Sequence, residues 1–279
     1  MPRAKVNGIE LAYESYGDGY PLVLAHGWLA SKEMWDGQIG PFMEQYRVVV
    51  YDIRGHGESE APHVDTGSYT LDTFVEDQHA LMAHLGIEQA HIGGLSMGGM
   101  IAMRFALRYP QATRALTLFD TAAGAVPGLD GGHREVVEGF VRAQGVLPVM
   151  RTLYANLPEA KRTASMSELP AGVQRYIDRL ENASVEGAIG GGRAMAGMEP
   201  VLDRLPELSM PVLVLVGDQD LLRGPSEEMK AKLPDARFVL IKDSTHGTCL
   251  WQPEKFTSAT LDFLADVEAG KPVAGREER

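Results

Sequence analysis

The segment Gly94-Leu95-Ser96-Met97-Gly98 has the form Gly-x-Ser-x-Gly. A serine set between glycines in this way does chemistry where a strand turns sharply into a helix. The turn lifts the hydroxyl above the sheet edge, and side chains at Gly94 and Gly98 would collide with the neighbouring strand and helix. The helix N-terminus behind such a turn stabilises developing negative charge. The pattern alone is weak, because about 0.15 matches are expected by chance in a chain with 31 glycines. Its position between an apolar run and a helical pattern sharpens it.

A serine hydroxyl is a poor nucleophile at neutral pH. It needs a base within hydrogen-bond reach, and the base needs an orienting acid. Of the eight histidines, His246 is the best placed, in the short loop Asp243-Ser244-Thr245-His246-Gly247 that follows the last apolar run. For the acid, Pro211–Val216 runs into Gly217-Asp218-Gln219-Asp220. Asp220 lies further into the loop and is preferred, with Asp218 as the alternative; the other aspartate then organises the turn. The order along the chain is Ser…Asp…His. A tetrahedral intermediate also needs two aligned N–H donors. The backbone N–H of Met97 is one candidate. The other is that of Trp28 in His26-Gly27-Trp28, which follows the run Pro21–Ala25. The His26 ring is expected to hydrogen-bond within the loops rather than act as a base.

These residues must be held by a sheet. Pro21–Ala25, Tyr46–Tyr51, Ala90–Leu95, Arg114–Phe119, Pro211–Val216 and Arg237–Ile241 are short apolar runs without clean alternation, as in strands buried on both faces of a parallel sheet. The Asn7-Gly8 turn predicts a hairpin of Ala4–Val6 with Ile9–Tyr16. Helical spacing appears in Leu71, Phe74, Val75, Leu81, Met82 and Leu85, with Thr70 as N-cap and Gly86 as stop. It recurs from Met97 to Tyr109 and from Pro253 onward. This alternation predicts an α/β fold with a mostly parallel, doubly wound sheet of about eight strands. Residues 1–121 and 206–270 would form the core, 122–205 a mostly helical insertion and 271–279 a fraying polar tail. In the insertion, Val136, Val137, Phe140 and Val141, and then Val173, Ile177 and Leu180, keep helical spacing. Gly190-Gly191-Gly192 argues against a rigid helix there, since each glycine costs about 1 kcal/mol. Met195 and Met198 fit either a pocket roof or core packing.

Composition excludes several classes. With 279 residues and 44% hydrophobic content the chain can bury a large core, which rules out global disorder. A net charge of −12 disfavours nucleic acid as a partner. No run of 18 apolar residues appears and the start has no continuous apolar segment, so neither a membrane span nor a signal peptide is expected, and a cytoplasmic location is the default. The single cysteine, Cys249, cannot form an intrachain disulfide. As a buried small hydrophobe it is a better fit than as a catalytic thiol. His79 and His84 lie on one helix without a His-Glu-x-x-His pattern, so no zinc site is expected. The glycine triplet is not followed by Lys-Ser/Thr and is not a phosphate loop.

Taken in order, His26-Gly27-Trp28, Asp52-Ile53-Arg54-Gly55-His56-Gly57-Glu58-Ser59, Gly94-Leu95-Ser96-Met97-Gly98-Gly99, Gly217-Asp218-Gln219-Asp220 and His246 resemble the α/β-hydrolase fold superfamily over about 250 residues. Within it the chain is similar to small-molecule carboxylesterases, cofactor-free haloperoxidase/perhydrolase relatives and enol-lactone hydrolases. The resemblance implies that the loop from Asp52 to Ser59 is structural, that residues 122–205 form a helical cap over the site, and that Ser96, Asp220 and His246 are a catalytic triad. It departs at Thr245-His246-Gly247, where relatives often carry Gly-His. The expected activity is cleavage of a small, mainly uncharged ester or lactone through an acyl-enzyme, with no metal or organic cofactor and a small molecule as substrate. C–C bond hydrolysis or lyase chemistry, perhydrolysis, and a ligand-binding receptor with little turnover stay open, as does homo-oligomerisation. Activity is expected to rise with pH through roughly 6 to 7.5 as the histidine loses its proton.

Overall fold

The computed structural model describes residues 1–124, 131–148, 178–179 and 182–279. Among these, nine strands form one sheet: β1 (Arg3–Val6), β2 (Ile9–Tyr16), β3 (Tyr20–Ala25), β4 (Tyr46–Tyr51), β5 (Ala90–Leu95), β6 (Thr113–Phe119), β7 (Val212–Gly217), β8 (Arg237–Ile241) and β9 (Gly275–Glu278). Their spatial order is β1-β2-β4-β3-β5-β6-β7-β8-β9. The β1/β2 hairpin and the β2/β4 pair are antiparallel, and every pair from β4 to β9 is parallel. Asn7 and Gly8 turn the hairpin with φ of 46° and 79°.

The absence of alternation in the apolar runs has a direct cause. Val212, Val214 and Val216 of β7 enter a core on one face, and Leu213 and Leu215 enter a second core on the other. Helices α2 (Leu71–His84) and α3 (Met97–Arg108) cover the first face with Phe74, Val75, Ile101 and Phe105. Helix α1 (Asp36–Met43) covers the second face through Phe42, and the C-terminal helix (Pro253–Glu268) does so through Phe256 and Phe263. Each fully buried side chain of this size contributes about 1.5–3 kcal/mol. The Thr70 hydroxyl accepts the Thr73 N–H at 3.0 Å and caps α2, and Gly86 turns the chain away at φ 68°.

The order reverses between β3 and β5. After β3 the chain goes to β4 on one side, then crosses back to β5 on the other. The crevice beyond the carboxyl ends of β3 and β5 is therefore the place where such a sheet admits a ligand. His26-Gly27-Trp28 and Ser96 both lie there.

Two expectations need correction. The polar tail does not fray from Lys271: Gly275–Glu278 adds the ninth strand, parallel to β8. This edge strand, Gly-Arg-Glu-Glu, buries almost no side chain, so it left no apolar signature. It is held by backbone pairing and by ion pairs such as Lys242 with Glu278 at 2.9 Å and Arg279 with Asp262 at 2.8 Å. The glycine triplet is likewise inside a helix, α5 (Val185–Ala196), which follows α4 (Gly131–Gln144) in the insertion between β6 and β7. A Cβ at Gly187 would stand 1.7 Å from the Gly55 oxygen, one at Gly190 2.3 Å from the Tyr69 ring and one at Gly191 2.7 Å from Trp28 Cδ1. Close approach to the core offsets the propensity cost that the sequence implied. Val136, Val137, Phe140 and Val141 do lie in α4, with Val141 buried, whereas Val173, Ile177 and Leu180 lie outside the described residues. Met195 is buried in the first core and Met198 packs against it.

The loop after β3 rests on a buried ammonium. Lys32 Nζ is enclosed and contacts Asp52 at 2.9 Å, Glu33 at 3.1 Å and Glu58 at 3.2 Å. Arg179 of the insertion joins the same cluster, at 3.1 Å from Glu33 and 3.0 Å from Glu58.

Helix propensity and packing predict opposite outcomes for Gly190→Ala. Propensity alone would add about 1 kcal/mol of stability. The Tyr69 contact instead predicts a loss of about 1–3 kcal/mol, read from urea midpoints at constant slope. Lys32→Met should cost about 3–5 kcal/mol by stranding buried carboxylates, measured in the same way.

Candidate active site

β5 is buried along its whole length and ends at Leu95; α3 begins at Met97. Between them Ser96 has φ 56° and ψ −116°, outside the conformations a non-glycine residue prefers. Such geometry costs on the order of 1–3 kcal/mol. It is held by the Ser96 N–H, which donates to Phe119 O of β6 at 2.9 Å, and by the Thr121 hydroxyl, which donates to Ser96 O at 2.7 Å. The flanking glycines are needed for clearance. A Cβ at Gly94 would meet the Gly98 carbonyl at 2.3 Å, and one at Gly98 would meet Ala25 O at 2.2 Å. The Met97 N–H lies in the first turn of α3, where no intrahelical acceptor exists. Across the crevice, a Cβ built on Gly27 would be 3.4 Å from Ser96 Cβ, so the His26-Gly27-Trp28 loop abuts the serine.

His246 lies in the loop after β8. Its Nδ1 is 2.9 Å from Asp220 Oδ2. The Asp220 carboxylate is fully enclosed, and its other oxygen accepts the Leu222 N–H at 2.9 Å. The imidazole is 41% exposed. Burial of part of the ring works against the imidazolium, but the Asp220 carboxylate, followed by Asp120, outweighs it and lifts His246 to about 8. Asp218 does a different job: its carboxylate accepts the Ser244 N–H at 3.3 Å, tying the β7 loop to the β8 loop. The aspartate in contact with the imidazole is thus Asp220.

The remaining histidines near the crevice are structural. His26 is enclosed, and its Nε2 accepts the Ile53 N–H at 2.9 Å. That places the ring proton on Nδ1, 2.7 Å from Gly27 O. Burial pushes His26 down to about 4 and His56 to about 3, so both rings are neutral. Around them Arg54 makes a fork to Asp77 at 2.7 and 2.8 Å. Asp52 accepts the N–H groups of Lys32 and Glu58, and the Ser59 hydroxyl donates to Asp52 O. The Trp28 indole donates to Ala188 O of α5 at 2.7 Å. With Val137, Glu138, Val141, Ala188 and Ile189 it lines a mainly apolar recess between the core and the insertion.

Two contributors escaped the sequence reading. One is Lys32. The other is Asp120, directly after β6, whose carboxylate accepts N–H groups from the loops carrying Asp220 and His246. A polar residue straight after a buried strand was the available signal; its partners lie up to 128 positions away. Thr248 is one of these partners, and Cys249 is buried with its carbonyl accepting from Gln38. Burial drives the Cys249 thiol well above its ordinary range, so it stays protonated. No group of three or more His, Cys, Asp or Glu suited to a metal ion occurs among the described residues.

Known proteins share this architecture. Residues 20–253 match the alpha/beta hydrolase fold family. The chain is 31% identical over 265 residues to 3-oxoadipate enol-lactonase 2 of Acinetobacter baylyi, covering 90% of this chain and 91% of that protein. It is 27% identical over 275 residues to a non-heme haloperoxidase of Rhodococcus erythropolis, covering 92% and 97%. Among solved structures, a thermophilic esterase from Thermogutta terrifontis superposes with a TM-score of 0.85 at 32% identity, covering 96% and 99%. The enol-lactonase from Burkholderia xenovorans superposes at 0.84 with 27% identity, covering 95% and 100%. Agreement of this extent, on a mostly parallel sheet with a serine turn at its topological switch point, means that the chain belongs to the α/β hydrolase fold family.

Proposed function

We propose that the protein is a serine hydrolase that cleaves a small ester or lactone through an acyl-enzyme, using Ser96, His246 and Asp220. The observation that carries this reading is the 2.9 Å contact between His246 Nδ1 and the enclosed Asp220 carboxylate. It fixes the ring proton on Nδ1 and leaves Nε2 as the basic nitrogen. His246 then takes the Ser96 proton as Ser96 attacks the carbonyl. The N–H groups of Met97 and Trp28 hold the oxyanion. The leaving alcohol receives the proton from His246, and water, deprotonated in turn by His246, releases the acid. Insertion helices α4 and α5 act as the cap, with the Trp28 side chain, bonded to α5, as the acyl wall. Enol-lactonase and esterase relatives support a carboxylic ester or lactone as substrate class.

Ser96→Ala should lower kcat for p-nitrophenyl acetate by about 10³-fold or more with an unchanged circular dichroism spectrum. A fluorophosphonate probe should label the wild type once and the variant not at all. Saturable ligand binding with no turnover and no labelling would mean a receptor instead.

The pH dependence also follows. The base must be neutral in the resting enzyme, and the two aspartates raise His246 to about 8. Log kcat/KM should therefore climb through pH 7 and level off only near 8, higher than the window the sequence alone implied. A plateau already reached at pH 6 would remove His246 as the base.

A further inference from the structure

Asp120 takes no part in the steps above, yet it is the most densely hydrogen-bonded carboxylate at this end of the sheet. It is 0% exposed and sits at φ 44°, directly after β6. Its Oδ2 accepts the Gly247 N–H at 3.0 Å, the Thr248 N–H at 2.7 Å and the Thr248 hydroxyl at 2.9 Å. Its Oδ1 accepts the Gly217 N–H at 3.2 Å. The first three donors come from the two residues directly after His246, and the fourth ends β7, just before the loop that carries Asp220. The residue before it, Phe119, accepts the Ser96 N–H. Two consecutive residues thus join the nucleophile turn to both other loops.

We propose that Asp120 is a positioning residue for the reaction: its carboxylate clamps the His246 loop at a fixed place relative to Ser96 and sets a second negative charge behind the imidazole, beside Asp220. The proposal rests on the serine-hydrolase reading.

The loop needs such a clamp. Gly247, at φ 89°, follows His246, whose ring is partly in solvent. A displacement of 1 Å at a reacting group costs about 100-fold in rate. The charge needs stabilising too. Among the described residues no lysine or arginine contacts Asp120; the titratable groups facing it are Asp220, His246 and the Cys249 thiol. Burial and then the Asp220 charge push its carboxyl up, against the pull of His246 and Thr248. Three backbone donors that cannot turn away favour the ionised form. An ionised Asp120 attracts the imidazolium, so it adds to the lift that Asp220 gives His246.

The test compares wild type, Asp120→Asn, Thr248→Val and Ser96→Ala. Turnover of p-nitrophenyl acetate is followed against pH, and the His246 ring is titrated by NMR, which needs no turnover. Asp120→Asn keeps the size, removes the charge and turns one accepting oxygen into an amide donor, so it also loosens the clamp. The His246 midpoint should fall by about 0.5–1 pH unit, and kcat should drop about 10- to 100-fold with KM nearly unchanged. Thr248→Val removes one donor and keeps the charge; kcat should fall several-fold with the midpoint in place. An unmoved midpoint in Asp120→Asn overturns the electrostatic role, and wild-type kcat in Thr248→Val overturns the clamp. If Asp120→Asn does not fold, Thr248→Val decides the clamp, and Asp120→Ser, which also removes the charge, decides the electrostatic role by the same NMR midpoint. If wild type and Ser96→Ala turn over alike, the serine-hydrolase reading fails, while the NMR midpoint still reports the charge of Asp120 on His246.

Discussion

The Ser96 N–H bonded to the Phe119 carbonyl is the contact on which the site is built. It continues the β5–β6 ladder one residue past the point where the chain has already turned toward α3. A serine at φ 56° stays there because the sheet on one side and the helix on the other leave it nowhere else to go. The cost is carried by the rigidity of a sheet packed on both faces. Three further consequences follow from the same turn. The side chain is lifted from the backbone, the first amides of α3 face the crevice, and Gly94 and Gly98 cannot carry side chains. A looser sheet could not hold the turn, and a relaxed turn would lay the hydroxyl back on the sheet.

Electrostatics around this turn concentrate the sign of the chain's net charge. The protein carries −12, and this end of the sheet buries several of its carboxylates, among them Asp52, Asp120 and Asp220. Each has a distinct source of stabilisation. Asp52 has the Lys32 ammonium and two backbone donors. Asp220 has the imidazole and the Leu222 N–H. Asp120 has only donors without formal charge. Buried charges are poor evidence of stability, because removing them from water costs several kcal/mol each. Their value lies in direction: each accepts from loops that would otherwise have no common reference.

Helix α5 meets the core by close approach at its glycines. The glycine-lined face of α5 lets Gly55, Tyr69 and Trp28 approach the helix axis. The Trp28 indole then donates to a helix carbonyl. Trp28 follows the glycine that abuts Ser96, so the wall of the recess and the loop beside the serine are one structural piece. Arg179 ties the same insertion to the Lys32 cluster beneath that loop.

Much of this was legible in the amino-acid string. Six apolar runs became six parallel strands, the Asn7-Gly8 hairpin formed where its turn chemistry required, and the serine pentapeptide marked the strand-to-helix turn. Those features are local: they depend on residues a few positions apart, which share one backbone conformation or one face. What stayed hidden depends on residues brought together from afar. Strand β9 has no apolar pattern because it contributes backbone, not side chains, to the edge. The glycines of α5 oppose a helix until Tyr69 and Trp28 come against them. For the two aspartates loop position favoured Asp220, but only the folded chain puts that carboxylate against a ring 26 residues on and sets Asp218 on the Ser244 N–H. Asp120 and Lys32 acquire their roles from donors and carboxylates that no spacing rule connects. Periodicity and turn chemistry record local preference; a buried charge or a close approach is defined by its neighbours in space, and those neighbours exist only once the sheet has assembled.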